Sequence, residues 1–268
     1  MASVPGASNK AKIARRVVEV LEFFDDDHRE ATVMDIVRRY DRPQSSTSEL
    51  LSSLVELGLL YKDPYSRSYT LTPRSALLGV AGQADPLRDG RLIRLIDRLV
   101  AQTGLAVALF GRVGLNSQIV NWRSATRDNS IAVKGLYGGM QQPLCDSAVG
   151  WLILGTEIQP RRDGIMRRLI AESPEARRPL FTELSARVDR CRATGLVQGG
   201  TGYGLSAHMV GMLLPGQPTE HPLAIGLLYG ADSRVDSESL LVCLAEAITH
   251  CLVENIAPRG IDQLPNAA

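Results

Sequence analysis

The chain is short of cysteine, of long apolar runs and of net charge, and each shortage removes a class of protein. Its four cysteines, Cys145, Cys191, Cys243 and Cys251, are too few and too scattered for a disulfide framework or a CxxC metal site. Cys243 and Cys251 fall eight apart on one expected helix. That is about 12 Å along the axis, too far to bridge. Reduced thiols in a cytoplasm are the expectation. No apolar h-region opens the chain, so no signal peptide is expected. No apolar run reaches the roughly 18 residues of a membrane span. The longest, "AVGWLILG" at 148–155, suits a buried core element. His208 and His221 stand near expected strand ends with no cysteine or carboxylate at ligand spacing, so neither metal nor cofactor is expected. There is no G-x-S-x-G, and His28, the histidine nearest the serine-rich stretch, sits on an expected loop. No acid, base and nucleophile converge, which argues against an enzyme. The net charge of +1 neither demands nor excludes a nucleic-acid partner.

What is present is a core. Of 268 residues, 44% are hydrophobic, enough for one large domain or two modest ones. Residues 1–11, small, polar and broken by Pro5 and Gly6, read as a loose leader. From Lys12 to Phe24, the residues Ile13, Val17, Val20, Leu21 and Phe24 recur on one face of an amphipathic helix. A shorter helix follows at 31–40, with Thr32 as N-cap, and Asp41-Arg42-Pro43 breaks it.

Residues 43–53 hold five serines and a threonine and then run into leucines. Leu50, Leu51, Leu54, Val55 and Leu57 make an apolar face, and Gly58 is a C′ residue, so this is a helix rather than a linker. After it, "LLYKDPYSRSYTLTP" reads as a hairpin turning near Asp63–Ser66. The order of helix, short helix, tight turn, helix and hairpin describes a winged helix-turn-helix over residues 12–74. Residues 75–87 read as a linker. Beyond them, amphipathic helices interleave with glycine-bounded β runs without a regular βαβ rhythm, so residues 88–257 are expected as an α+β sheet domain. The apolar stripes of helices 88–103 and 236–256 are wide enough to suggest a subunit interface. Residues 258–268 read as a loose tail.

The sequence resembles the IclR family of bacterial transcriptional regulators over nearly its whole length. The resemblance rests on "PQSSTSELL" with "SSLVELGLLYKDP", on "LIRLIDRLVAQTGLAVAL", on "GGMQQPLCDSAVGWLIL", and on "LSARVDRCRATGLVQGG" followed by "GLSAHMVGML" and "LAIGLLYGAD". It implies a winged helix joined to a GAF-like effector-binding domain with a mixed or antiparallel sheet flanked by helices. It also implies a homodimer or homotetramer on a palindromic operator. A GAF-like enzyme or redox sensor, using the winged domain for protein interaction, is the alternative.

Small hydroxyls let a helix approach a groove closely and bond base edges or phosphate. Gln44, Ser45, Ser46, Thr47, Ser48 and Ser52 are the candidates on helix 43–57, with Arg42 for phosphate and Lys62, Tyr65 and Arg67 from wing 60–70. The basic groups are not in excess, since residues 1–80 hold eleven Lys/Arg and eleven Asp/Glu. Glu49 stands where the family commonly has arginine. It could accept from cytosine N4, or close a capping box with Ser46, and the S-x-x-E spacing favours the cap.

By resemblance, the effector pocket would be walled by Met140, Leu144, Ala148, Val149, Leu205, Ala207, Gly226 and Leu228. Trp151 replaces the family's lysine, Cys145 its histidine, and "GGTGY" at 199–203 its acidic turn. With "IGLLY" where relatives that take small organic acids carry serines, the expectation is an apolar or aromatic effector, or an occluded pocket. Trp122 and Trp151 are expected in the core or an interface.

Overall fold

A computed structural model describes residues 9–25, 28–79, 85–123, 133–218, 220–232 and 234–253. The expected leader (apart from residues 9–11), the centre of the linker and the tail lie outside them. The chain divides into two compact units, Met1–Gln83 and Ala84–Ala268.

In the first unit, α1 spans Asn9–Phe23, so residues 9–11 are helical rather than leader. Helix α2 (Val33–Tyr40) starts at Thr32, whose N–H and hydroxyl both donate to the Asp35 carboxylate at 2.8 and 2.7 Å. Asp41 ends it in the left-handed region, at φ 50°. Helix α3 (Gln44–Glu56) closes on a Schellman pair, Leu59 N–H to Leu54 O and Gly58 N–H to Val55 O, both 2.9 Å. Gly58 holds φ 70° there, a conformation that costs glycine little. Strands β1 (Leu60–Lys62) and β2 (Tyr69–Leu71) pair antiparallel. Ala31 adds a single bridge to Tyr69. Val20, Phe23, Ile36, Leu51, Leu54, Leu60 and Tyr69 close one core. Each leucine removed from water there contributes about 2 kcal/mol. Residues 75–77, expected as linker, belong to α4 (Pro73–Leu77).

The second unit opens with α5 (Asp85–Arg88), also placed in the expected linker, and α6 (Arg91–Thr103). Its strands are β3 (Ala106–Val113), β4 (Asn116–Arg123), β5 (Gln141–Pro143), β6 (Leu196–Gly200), β7 (Ala207–Leu213) and β8 (Ala224–Gly230). They form one sheet in the order β5-β4-β3-β8-β7-β6, antiparallel at every pairing.

Strand alternation divides the apolar residues between two faces. Ala106, Ala108, Phe110, Met209 and Leu228 meet α7 (Ala148–Leu154), α8 (Arg161–Glu172) and α9 (Phe181–Thr194) in one cluster. Val107, Leu109, Val210, Ile225 and Leu227 meet α6 and α10 (Ser237–Ile248) in the other. Burial on both sides explains why β3 and β8 read as near-continuous apolar runs. It also corrects the expectation for the stripes of α6 and α10. Leu92, Leu95, Ile96, Leu99, Leu244 and Ile248 are used up on the sheet of their own domain. The closing helix passes from α into π geometry at Thr249–Val253.

Candidate nucleic-acid interface and effector recess

On α3 the hydroxyl residues do not share one role. Ser45, Glu49 and Ser52 are exposed at helical spacing, with Ser48 half-buried between them and Gln44 exposed at the start. The Ser52 hydroxyl donates back to Ser48 O at 2.9 Å, which leaves its lone pairs outward. Thr47 departs from the expected set, for it is 1% exposed and its hydroxyl donates to Pro43 O at 2.9 Å. Ser46 is half-buried and accepts from Arg16 Nη2 at 3.2 Å. Arg42 is drawn away from a phosphate role as well. Its Nη2 meets both Glu19 oxygens, at 3.0 and 3.1 Å.

Glu49 is not a cap. The N-cap of α3 is Pro43, so Ser46 is already inside the helix and Glu49 lies well beyond the first turn. Among the described residues its carboxylate takes no hydrogen bond or ion pair. No side chain caps α3, so its first N–H groups remain open to an anion.

The wing tip is shaped by Asp63, whose Oδ1 accepts from the N–H groups of Tyr65 at 2.7 Å and Ser66 at 3.0 Å. Tyr65 is 95% exposed. Arg67, exposed, adopts φ 58°. Lys62 is exposed with its Nζ 5.4 Å from the Tyr69 ring centroid.

In the second unit the structure gathers most of the expected effector residues. Leu144, Ala148, Val149 and Leu228 lie in the cluster beneath the sheet, with Met140, Trp151 and Leu205 packed against it. Ala207 is buried on β7. Gly226 leaves room that Met209 fills, since a Cβ there would strike Met209 Cε and stand 3.4 Å from Phe110 Cε2. Trp151 acts as an anchor, its Nε1 donating to Cys145 O at 2.9 Å beneath the Arg187 guanidinium. Trp122 also packs on this cluster.

Hydroxyls nonetheless border this cluster, although β8 carries no serine. They come from other elements. Tyr203, in the loop after β6, is 8% exposed and donates its phenol to Ser117 Oγ at 2.8 Å. Ser117, on β4, donates to Gln142 O at 3.3 Å. Gln142 in turn donates to Asp146 O at 2.8 Å and accepts from the Tyr203 N–H through its side-chain oxygen. Sequence reasoning missed Phe110, Ser117, Gln142, Tyr203 and Met209. The Gly202-Tyr203-Gly204 triplet was the available signal for a left-handed loop.

Cys145 is 4% exposed, and burial pushes its thiol up to about 11, so a thiolate is scarce at neutral pH. An open surface cleft of about 620 Å³ lies elsewhere, lined by Arg167, Ile170, Ala171, Arg178 and Phe181. Among the described residues no three His, Cys, Asp or Glu side chains gather at a metal-holding distance, and no helix is long and apolar enough to cross a membrane.

A helix-turn-helix with a hairpin wing, followed by an antiparallel sheet covered by helices on both faces, defines a two-domain winged-helix architecture. Residues 14–64 match the family model of the IclR helix-turn-helix domain. The fold is similar to that of an IclR transcriptional regulator from Alicyclobacillus acidocaldarius, 21% identical with TM-score 0.60, covering 93% of this chain and 98% of that one. It is also similar to an IclR homolog from Microbacterium hydrocarbonoxydans complexed with 4-hydroxybenzoate, 18% identical with TM-score 0.59, covering 89% and 97%. No curated protein matches the chain. The N-terminal domain is thus of the IclR helix-turn-helix type, and the chain shares the fold of these regulators over nearly its whole length.

Proposed function

We propose that the chain binds a palindromic operator as a homodimer or homotetramer and is controlled by a small effector in its second domain. Residues 12–74 are the DNA-binding domain and residues 88–257 the effector and oligomerisation domain. Gln44, Ser45, Ser48, Glu49 and Ser52 present the reading face, and Lys62, Tyr65 and Arg67 reach the backbone or minor groove from the wing. The observation that carries this reading is the exposed Ser45–Glu49–Ser52 face of α3, within a domain that matches the IclR helix-turn-helix.

The effector is small and fairly apolar or aromatic, because the buried cluster that holds the expected pocket residues is made of aliphatic side chains and Phe110, bordered by neutral polar groups. The 4-hydroxybenzoate held by a protein of similar fold supports an aromatic ligand. An enzymatic role is disfavoured, since among the described residues no nucleophile and base converge at that cluster.

Fluorescence anisotropy against the DNA upstream of the protein's own gene, across a salt series, tests the reading. A specific complex with a steep salt slope is expected. Lys62→Ala should flatten that slope by about one, whereas Arg42→Gln should leave it unchanged and lower stability instead. No specific complex, with turnover of some substrate, contradicts it.

A further inference from the structure

The loop Gly202-Tyr203-Gly204 holds three successive residues at positive φ, 80°, 55° and 74°. For a tyrosine this is an uncommon backbone state, held only where surrounding contacts fix it. Three contacts do so. The ring stacks on Phe110 at 6.0 Å between centroids, the phenol donates to Ser117, and the N–H donates to the Gln142 side chain. The loop is pinned on one side and open on the other. A Cβ at Gly202 would come within 2.6 Å of the Gln142 amide, while one at Gly204 would meet nothing within 4 Å.

The ring belongs to the same buried cluster as Leu144, Ala148 and Leu228, which are among the residues expected to wall the effector pocket. Met209 fills the room left by Gly211 and Gly226, and an unbranched thioether repacks readily. The Thr201 hydroxyl, two residues from Tyr203, is buried with no partner among the described residues.

We propose that Tyr203 is a built-in occupant of the effector recess, seated where an uncharged hydroxyaryl ligand binds by displacing it. The inference rests on the reading of residues 88–257 as an effector domain. The seat offers an aromatic face from Phe110 and an acceptor from Ser117. Burial pushes the Tyr203 phenol up to about 12, consistent with a seat for a neutral hydroxyl. A ligand that enters releases the loop, and the free energy of that release sets its apparent affinity.

The test uses p-cresol, the tyrosine side chain as a free molecule, on the full chain by titration calorimetry without DNA. A plug closed nine-tenths of the time weakens apparent affinity about tenfold. Tyr203→Ala should therefore bind p-cresol at least about tenfold tighter than wild type. Tyr203→Phe keeps the ring but loses the bond to Ser117, and should bind roughly fivefold tighter. Toluene, which lacks the hydroxyl, should bind each protein more weakly than p-cresol. Equal p-cresol affinity in wild type and Tyr203→Phe, or no binding to Tyr203→Ala, overturns the proposal. If Tyr203→Ala does not fold, the Tyr203→Phe comparison decides alone. Operator affinity is then measured with and without p-cresol. If the affinity ranking holds but operator affinity does not change, the plug stands and the effector reading fails. If operator affinity changes and the ranking fails, the reverse follows.

Discussion

At the scale of single residues, chemistry is governed by which side chains the fold hides. Burial pushes the thiols of Cys145 and Cys191 up to about 11, while Cys243 and Cys251 are only half-buried. Thiol labelling at pH 8 should therefore modify Cys243 and Cys251 first and reach Cys145 and Cys191 only on unfolding. Fast labelling of Cys145 in the native protein, read by peptide mass, would revive the redox-sensor reading. Residue types alone could not have separated the hydroxyls of α3. Ser45 and Thr47 look alike as sequence, yet Thr47 points into the core because the helix starts at Gln44 and its phase puts residue 47 beside Leu51 and Leu54. The same start removes Glu49 from the cap. Pro43 is the sequence signal for that earlier start.

At the scale of elements, local rules were mostly readable. The apolar faces of α1, α3, α6 and α10, the Thr32 cap, the Gly58 stop and the β1–β2 hairpin follow from spacing and turn chemistry, although Ile13 and Leu57, expected on two of those faces, are exposed. Strand β6 was not readable, because "LVQGG" ends in two glycines and is held by pairing with β7 rather than by propensity. Tyr203 was hidden for a related reason. Its place in the recess depends on a left-handed loop between β6 and β7 and on partners from β4 and β5, all distant in sequence.

The Thr32–Asp35 box gives an element-scale prediction. Hydrogen bonds from the Thr32 hydroxyl and then its N–H hold the Asp35 carboxyl below the usual carboxylate range. A depressed carboxylate stabilises the fold above its unfolded pKa, and that contribution is lost as pH falls through the folded value. Asp35→Asn should lower the urea midpoint at pH 7, and the gap to wild type should narrow by pH 3. A gap that is constant across this range would contradict the box.

At the scale of the whole molecule, the proposed function divides recognition and control between the two units. The winged unit is neutral in formal charge, so the proposed grip on DNA rests on placement: the uncapped α3 N-terminus, Lys62 and Arg67 on the wing, and a thin hydroxyl face. In the second unit, the expected effector residues share a buried cluster with Tyr203, the side chain proposed as its built-in occupant.

Selection of binding sites from randomised duplexes, run in parallel on wild type and Glu49→Gln, tests the central claim most directly. With Glu49 exposed and unpartnered on the reading face, both proteins should select a two-fold symmetric site that differs at one base pair per half-site, with cytosine favoured there only by wild type. Identical selected sites, or no enriched site at all, would contradict the account.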